Sequence, residues 1–235
     1  ILALVIASLS FFNRVAFVAL ALAFVYRGIW EMKRALTRAG IDICDSLYFS
    51  ATVIFLAAWF EGIAGIAVAT ALTIPFTLVA ILTRGVKDFV KNAFASIFTL
   101  AYIPFLASFL LVMAEEDDGL RRIMTLVVLV ACNDTFGYIF GVLLGKHKIA
   151  PTISPKKSWE GLVGSILFTA FGGSLMLSTY FNQSWWVGAL VGLGAVVTAT
   201  SGDFIESAIK RDLDLKDRKS TRLNSSHVAL SRMPS

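Results

Sequence analysis

Four side chains near the end of the chain have the types and spacing to bind metal and phosphate together. They lie in SGDFIESAIKRDLDLKD, residues 201–217, directly after a strongly apolar run. On a helix they occupy positions i, i+4, i+7 and i+8 of one face: Asp203, Ser207, Lys210 and Arg211. A carboxylate, a hydroxyl and two cations could hold a metal ion beside a phosphate. A solvated helix next to a membrane, with a few ion pairs, fits these residues equally well.

A second candidate group surrounds Asp134, which lies within the apolar segment LVVLVACNDTFGYIFGVLLG. A carboxylate inside a membrane is costly and indicates a functional site, with a cation or metal as its partner. Gly137, Gly141 and Gly145 repeat every fourth residue, which lets another helix approach closely. The alternative is that the glycines serve packing alone, while Asp134 caps a helix or extends toward the membrane surface.

The loop KHKIAPTISPKKSWE, residues 146–160, supplies further cations, including Lys156 and Lys157. Pro151 and Pro155 prevent a continuous helix, and Ser158 has the residue type of an N-cap for the apolar segment that follows. These lysines could clamp phosphate. On charge alone, a basic loop that touches anionic lipid headgroups is the stronger interpretation.

Composition indicates the elements that must position these residues. The chain is 57% hydrophobic with a mean hydropathy of +0.77, above the ~45–50% apolar share of soluble domains. Several runs approach the ~20 apolar residues that cross a bilayer as a helix. We therefore expect an all-α, polytopic integral membrane helical bundle with about seven to eight spans. The predicted spans are 1–9 (partial), 15–30, 47–60, 62–82, 93–113, 123–144, 162–181 and 185–200.

Loop charge predicts the orientation of these spans. Alternate loops place eleven Lys and Arg side chains on one side of the membrane and three on the other. The positive-inside rule assigns the eleven to the cytoplasmic side. Residues 146–160 and 201–217 both fall on that side, so the candidate residues of these two stretches are expected to share one membrane face.

Together these segments resemble the phosphatidate cytidylyltransferase (CDP-diacylglycerol synthase) family. The family pattern, roughly S-x-[apolar]-K-R-x4-K-D, is present in this sequence as Ser207, Ile209, Lys210, Arg211, Lys216 and Asp217. The Asn-Asp-Thr block around Asp134 and the SPKKSWEG block at 154–161 also match. The resemblance is close over residues 131–217, whereas the upstream spans match in hydropathy alone.

The resemblance implies transfer of a cytidylyl group from CTP to phosphatidate, giving CDP-diacylglycerol and diphosphate in phospholipid biosynthesis. It implies Mg²⁺, alone or with a second cation, bound by Asp203 and next by Asp134. Lys210 and Arg211 would stabilise phosphate charge during catalysis. The other positions would bind substrate phosphate: Ser207, Lys156, Lys157, Lys216 and Asp217. Expected partners are CTP, phosphatidate and the lipid bilayer, with no nucleic acid, and the resemblance allows a homodimer.

The expected organisation has three parts. Residues 1–130 would be N-terminal transmembrane helices with a partial first span, and residues 131–217 a catalytic transmembrane region with cytoplasmic motif loops. The expected location is the bacterial cytoplasmic membrane, with the active site facing the cytoplasm. Residues 218–235 lack the H-G-G segment and the D-R-x-D aspartate with which the family continues. They are therefore expected to be a non-native tail that leaves this chain inactive.

Two other function classes fit the same residues. A CTP-dependent polyprenol or phytol kinase also acts on a lipid substrate with CTP. An ion-coupled transporter would use Asp134 and Asp203 to line an ion path. The transporter predicts charged residues spread across the membrane depth, whereas here they collect toward one end, which favours an enzyme.

Overall fold

Helices dominate the computed structural model, which describes residues 14–115, 117–152 and 154–213. The helices are α1 (Arg14–Arg38), α2 (Ser46–Leu82), α3 (Phe89–Leu100), α4 (Leu106–Glu115), α5 (Gly119–Leu143), α6 (Trp159–Phe181) and α7 (Trp185–Asp212). Strands β1 (Lys148–Ala150) and β2 (Ser154–Ser158) form an antiparallel hairpin between α5 and α6. The chain divides into two compact units, Ile1–Met124 and Thr125–Ser235, and the division falls within α5.

The predicted all-α membrane architecture is confirmed. Within the described ranges, six helical segments are long and apolar enough to cross a membrane. Large apolar side chains cover their outer surfaces; Phe94 and Trp185, for example, are each 71% exposed. Such surfaces suit lipid rather than water. The count is lower than the predicted seven to eight, partly because the expected partial span at 1–9 lies outside the described residues.

The other difference in the count lies in α2, where a sharp reversal joins two predicted spans. Gly62 has φ 56° and ψ −135°, a conformation that glycine adopts without steric cost. The hydroxyl oxygens of Ser50 and Thr77 are 3.3 Å apart, so the two arms run back alongside each other. The predicted spans 47–60 and 62–82 are therefore the two arms of one folded-back element.

A single wide helical turn, Ala101–Phe105, joins α3 to α4 and contains Pro104. Proline lacks the N–H group that a regular helix would use at this position, and a wider turn accommodates the interruption. The segment from α3 through α4 consequently remains one membrane-length element, Phe89–Glu115.

Polar contacts join two loops at one end of the first unit. Arg84 in the α2–α3 loop forms an ion pair with Asp42 at 3.0 Å, and Lys91 donates to the carbonyl of Gly40 at 3.1 Å. The backbone N–H of Asp42 donates to the side chain of Asn92 at 3.0 Å. The α1–α2 loop and the segment from the α2–α3 loop into the first turn of α3 therefore lie together.

Close backbone packing joins α6 and α7 in the second unit. A Cβ atom on Gly173 would lie 2.3 Å from the carbonyl oxygen of Gly188, and one on Gly188 would lie 2.4 Å from that of Gly173. Glycine is required at both positions because any side chain would force the helices apart. The two helices therefore pack backbone against backbone near the start of α7.

Candidate functional site

A cavity of about 300 Å³ lies in the second unit among α5, the hairpin, α6 and α7. Its charged lining comes from three elements: Asp134 from α5, Lys156 and Lys157 from β2, and Asp203 from α7. The three segments that carry these residues are distant in sequence, and all four residues were singled out from the sequence. The cavity therefore gathers two carboxylates and two ammonium groups in one place.

Small residues allow α5 to approach α6 closely beside this cavity. A Cβ on Gly161 would lie 2.7 Å from the carbonyl oxygen of Gly137, and a Cβ on Gly137 would lie 2.6 Å from the hydroxyl of Ser165. A Cβ on Gly141 would be 3.5 Å from the hydroxyl of Ser158. The glycine repeat thus has the packing role that the sequence indicated, and it brings Asp134 to the same cavity as α6 residues.

Asn133 forms a buried polar network next to Asp134. The hydroxyl of Ser165 donates to the backbone carbonyl of Asn133 at 2.8 Å, and Asn133 Nδ2 donates to Asp134 Oδ1 at 3.1 Å. Asn133 is only 5% exposed, and its Oδ1 atom has no hydrogen-bond partner among the described residues. A buried oxygen without a donor favours binding of a donor group or a cation beside it.

An ion pair joins the hairpin to α7. Lys157 Nζ donates to Asp203 Oδ2 at 2.6 Å, with the lysine side chain 27% exposed and the aspartate 50% exposed. The same ammonium nitrogen lies 4.8 Å from the ring centroid of Phe204. The sequence assigned these two residues to phosphate and metal separately and did not predict that they pair.

The base of the hairpin is held by contacts that the sequence analysis missed. The backbone N–H of His147 donates to both carboxylate oxygens of Glu160 at 3.2 and 3.3 Å, and the ring Nδ1 lies 2.7 Å from Oε1. The His147 side chain is 79% exposed, so this pairing lies at the protein surface. The sequence feature that could have predicted this contact is the acidic Glu160 in the first turn of α6, directly after the basic loop.

Ser158 is the N-cap of α6, as its residue type predicted. Its Oγ accepts a hydrogen bond from the backbone N–H of Gly161 at 3.2 Å.

The remaining predicted site residues lie outside the cavity lining. Ser207, Lys210 and Arg211 follow Asp203 along the last turns of α7. Lys210 forms an ion pair with Glu206 one turn earlier on the same helix. Lys216 and Asp217 lie outside the described residues. Of the four residues predicted to share one face of α7, only Asp203 lines the cavity.

The donor set fits a hard cation that takes few protein ligands. In the part of the chain that the structure describes, no three His, Cys, Asp or Glu side chains converge as a metal cage. Asp134 and Asp203 nevertheless bring two carboxylates to one cavity, beside the unpartnered oxygen of Asn133. Mg²⁺ is commonly bound by one or two carboxylates together with water and substrate phosphates. These residues fit Mg²⁺ bound together with an anionic substrate.

Comparison with known proteins gives the family. A model described as the cytidylyltransferase family matches residues 1–221. A phosphatidate cytidylyltransferase of Mycobacterium leprae is 40% identical over 132 residues, which cover 56% of this chain and 42% of the relative. The Mycobacterium tuberculosis protein of that name is 35% identical over 130 residues (55% and 40%), and the Staphylococcus haemolyticus protein is 34% identical over 138 residues (58% and 52%). The chain therefore spans about half or less of the length of these curated relatives. Because the family model covers almost all of its residues, the chain belongs to the cytidylyltransferase family.

Proposed function

We propose that this protein transfers the cytidylyl group of CTP to phosphatidate within the membrane, giving CDP-diacylglycerol and diphosphate. The single observation that carries the proposal is the cavity of the second unit. There, three separate elements of a helical membrane region bring together Asp134, Lys156, Lys157 and Asp203. Family membership and the names of the relatives support cytidylyl transfer to phosphatidate as the chemistry of this cavity.

The reaction joins two anions, which explains the need for cations in the cavity. A phosphate oxygen of phosphatidate attacks the α-phosphorus of CTP and forms a new P–O bond. The bond between the α-phosphorus and the oxygen that bridges to the β-phosphate breaks, and diphosphate leaves with that oxygen. No strong base is required because the attacking oxygen is already ionised. Positioning and electrostatic stabilisation supply most of the rate in phosphoryl transfer. Lys156 and Lys157 would bind the phosphate oxygens of the reactants from the hairpin side.

The two carboxylates would act on the same phosphates through a bound cation. Asp203 and Asp134 would bind Mg²⁺, which would neutralise charge on the phosphate oxygens when bound. Before substrate binds, the Lys157–Asp203 ion pair compensates both charges within the cavity. We infer that substrate phosphate takes over the contacts of Lys157, which leaves the carboxylate of Asp203 available to the cation.

The residues beyond the cavity along α7 would contact the outer part of the substrates. Lys210 and Arg211 are in the last turn of α7, and Ser207 lies one turn after Asp203. Arginine can bind phosphate through two parallel hydrogen bonds, and lysine acts as a point charge. We infer that this end of α7 faces the cytoplasm of a bacterial cell, where CTP is available, because it lies on the cation-rich side of the membrane.

The test is a product assay on two proteins: this chain, and a chimaera in which the Mycobacterium leprae relative continues the chain after residue 217. CTP labelled in the base and CTP labelled in the γ-phosphate are each supplied with phosphatidate, or with a polyprenol, in the presence of Mg²⁺ or EDTA. We expect base label in the lipid fraction with phosphatidate and Mg²⁺ only. Transfer of the γ-phosphate to polyprenol would indicate a lipid kinase. No base label from either protein, while the relative itself is active, would refute the proposal.

A further inference from the structure

A second cavity lies in the first unit, where the end of α1 meets the start of α2. Its volume is about 520 Å³, and its lining consists of Trp30, Lys33, Arg34, Thr37, Arg38, Asp45 and Tyr48. The membrane-length part of α1 has 24 residues, more than the ~20 that cross the hydrocarbon region. The last turns of α1 therefore reach the membrane–water boundary, and the cavity opens at that level.

One cation of this cavity already has an acidic partner. Lys33 forms an ion pair with Asp45, and Arg84 approaches the second oxygen of the same carboxylate at 3.4 Å. Asp45 is the single acidic residue in the described lining of this cavity. Lys33 and Arg84 therefore already balance the negative charge of Asp45. The guanidinium groups of Arg34 and Arg38 give the cavity an excess of positive charge.

Trp30, Arg34 and Arg38 are spaced at i, i+4 and i+8 and share one face of α1. The guanidinium of Arg34 lies over the Trp30 ring, 5.4 Å from its centroid. Two like charges at i and i+4 of a helix repel each other, and an anion between them would remove this repulsion. Arg38 also interacts favourably with the carbonyl end of the helix, but that role does not explain Arg34 or the cavity.

The geometry points to a binding site for the phosphate group of an anionic membrane phospholipid, between Arg34 and Arg38 and beside Trp30. Guanidinium groups match phosphate oxygens with paired hydrogen bonds. Trp30 is 42% exposed, and tryptophan rings are typical of the headgroup level of a bilayer. Basic pockets between membrane helices bind anionic headgroups in this way. Free phosphate shares the charge and the oxygens, but it has no apolar part for Trp30 to contact. The site uses none of the residues proposed for cytidylyl transfer.

The experiment measures lipid binding to the purified chain in detergent by native mass spectrometry, with phosphatidylglycerol and phosphatidylcholine as probes. We expect the double variant Arg34→Gln/Arg38→Gln to bind phosphatidylglycerol at least tenfold more weakly, with phosphatidylcholine binding unchanged. The matched control, Lys87→Gln/Lys148→Gln, removes the same charge at two exposed positions outside the cavity and should stay within twofold of the original chain. The variant Arg34→Lys/Arg38→Lys keeps the charge and the fold but loses the paired hydrogen bonds, so we expect at least threefold weaker binding.

Three outcomes would overturn the inference. Equal losses in the two glutamine variants would mean general attraction between a basic protein and an anionic lipid. Full binding by the lysine variant would exclude a specific role for the guanidinium groups. Displacement of phosphatidylglycerol by inorganic phosphate, beyond the effect of sodium chloride at the same ionic strength, would make free phosphate the ligand and overturn the lipid assignment.

Discussion

Asp203 is the residue of α7 on which the proposed metal role depends. It lines the cavity of the second unit, and it holds Lys157 in a short ion pair. We predict that Asp203→Asn lowers kcat for CDP-diacylglycerol formation in the chimaera at least ~100-fold, because the amide cannot bind a cation as a carboxylate does. The measurement is the Mg²⁺-dependent product assay, with membrane insertion checked separately. Asp212→Asn, which changes an exposed carboxylate of the same helix, should stay within a few-fold. Near-normal activity of Asp203→Asn would exclude the metal role.

Lys157 should depend on Asp203 for its function. We predict that Lys157→Gln alone lowers kcat/KM ~10–100-fold through weaker phosphate binding. Residues that act as a unit give non-additive losses, so the double variant with Asp203→Asn should fall little below Asp203→Asn alone. The measurement is a double-mutant cycle on kcat/KM. Fully additive losses would mean that the ion pair has no part in arranging the site.

Sequence reasoning found the charged residues of this cavity because charges are rare and costly among apolar segments. Asp134 was prominent for that reason, whereas Asp203 was singled out by its helical spacing with the polar residues that follow it; both line the same cavity. The Ser165–Asn133 and Glu160–His147 contacts were missed. Their residue types are ordinary, and only the packing of separate elements reveals that they meet.

At the scale of elements, backbone contact between helices makes glycine identity a stability requirement. We predict that Gly188→Ala lowers the free energy of unfolding by ~1–3 kcal/mol, because the new methyl group would lie 2.4 Å from the carbonyl oxygen of Gly173. Gly194→Ala is the matched control, since a Cβ there meets nothing within 4 Å. That change should be neutral or stabilise the helix by up to ~1 kcal/mol. Thermal unfolding in detergent measures both, and equal effects would contradict the packing role.

The joined loops of the first unit should show a specific acid sensitivity. The hydrogen bond from Lys33, with further help from the charge of Arg84, lowers the pKa of Asp45 below its ordinary value. A carboxyl with a lower pKa in the folded state contributes stability above its unfolded pKa of ~3.9, and this contribution is lost as pH falls through the folded value. Because the pair is exposed, the contribution should be below ~1 kcal/mol. We predict that Asp45→Asn removes this component, so melting temperatures of variant and parent converge below pH ~4. A difference in melting temperature between variant and parent that stays the same at every pH would contradict the prediction.

Element prediction was reliable where apolar length decided the outcome and incomplete where backbone geometry did. The spans at 162–181 and 185–200 correspond to α6 and α7, since long apolar runs have few alternatives. The reversal at Gly62 was predicted as a boundary, but sequence could not indicate that the helical arms continue to the turn itself. Pro151 and Pro155 excluded a helix, yet pairing of β1 with β2 depends on register that this short loop does not specify.

At the scale of the whole molecule, the placement of charge relative to the bilayer gives the strongest link between sequence and function. In the proposed reaction CTP is soluble and phosphatidate is a lipid, so a site for both would have to lie at a membrane surface that faces the nucleotide. The hairpin lysines and the end of α7 meet at one end of the second unit. The loop between α6 and α7 lies at the other end of α6 and carries no Lys or Arg.

This arrangement predicts the orientation of the protein in a bacterial cytoplasmic membrane. Single cysteines are introduced at three exposed positions outside the helices: Lys87→Cys, Lys148→Cys and Gln183→Cys. The native Cys44 is buried, and Cys132, which is partly buried, is replaced by alanine. A membrane-impermeant maleimide should label the first two variants only in inverted vesicles, because the cation-rich loops face the cytoplasm. It should label Gln183→Cys only in spheroplasts. Labelling of Lys148→Cys and Gln183→Cys from the same side would contradict the crossing of α6. Reversal of all three would put the proposed site on the face without CTP and remove the basis for cytidylyl transfer there.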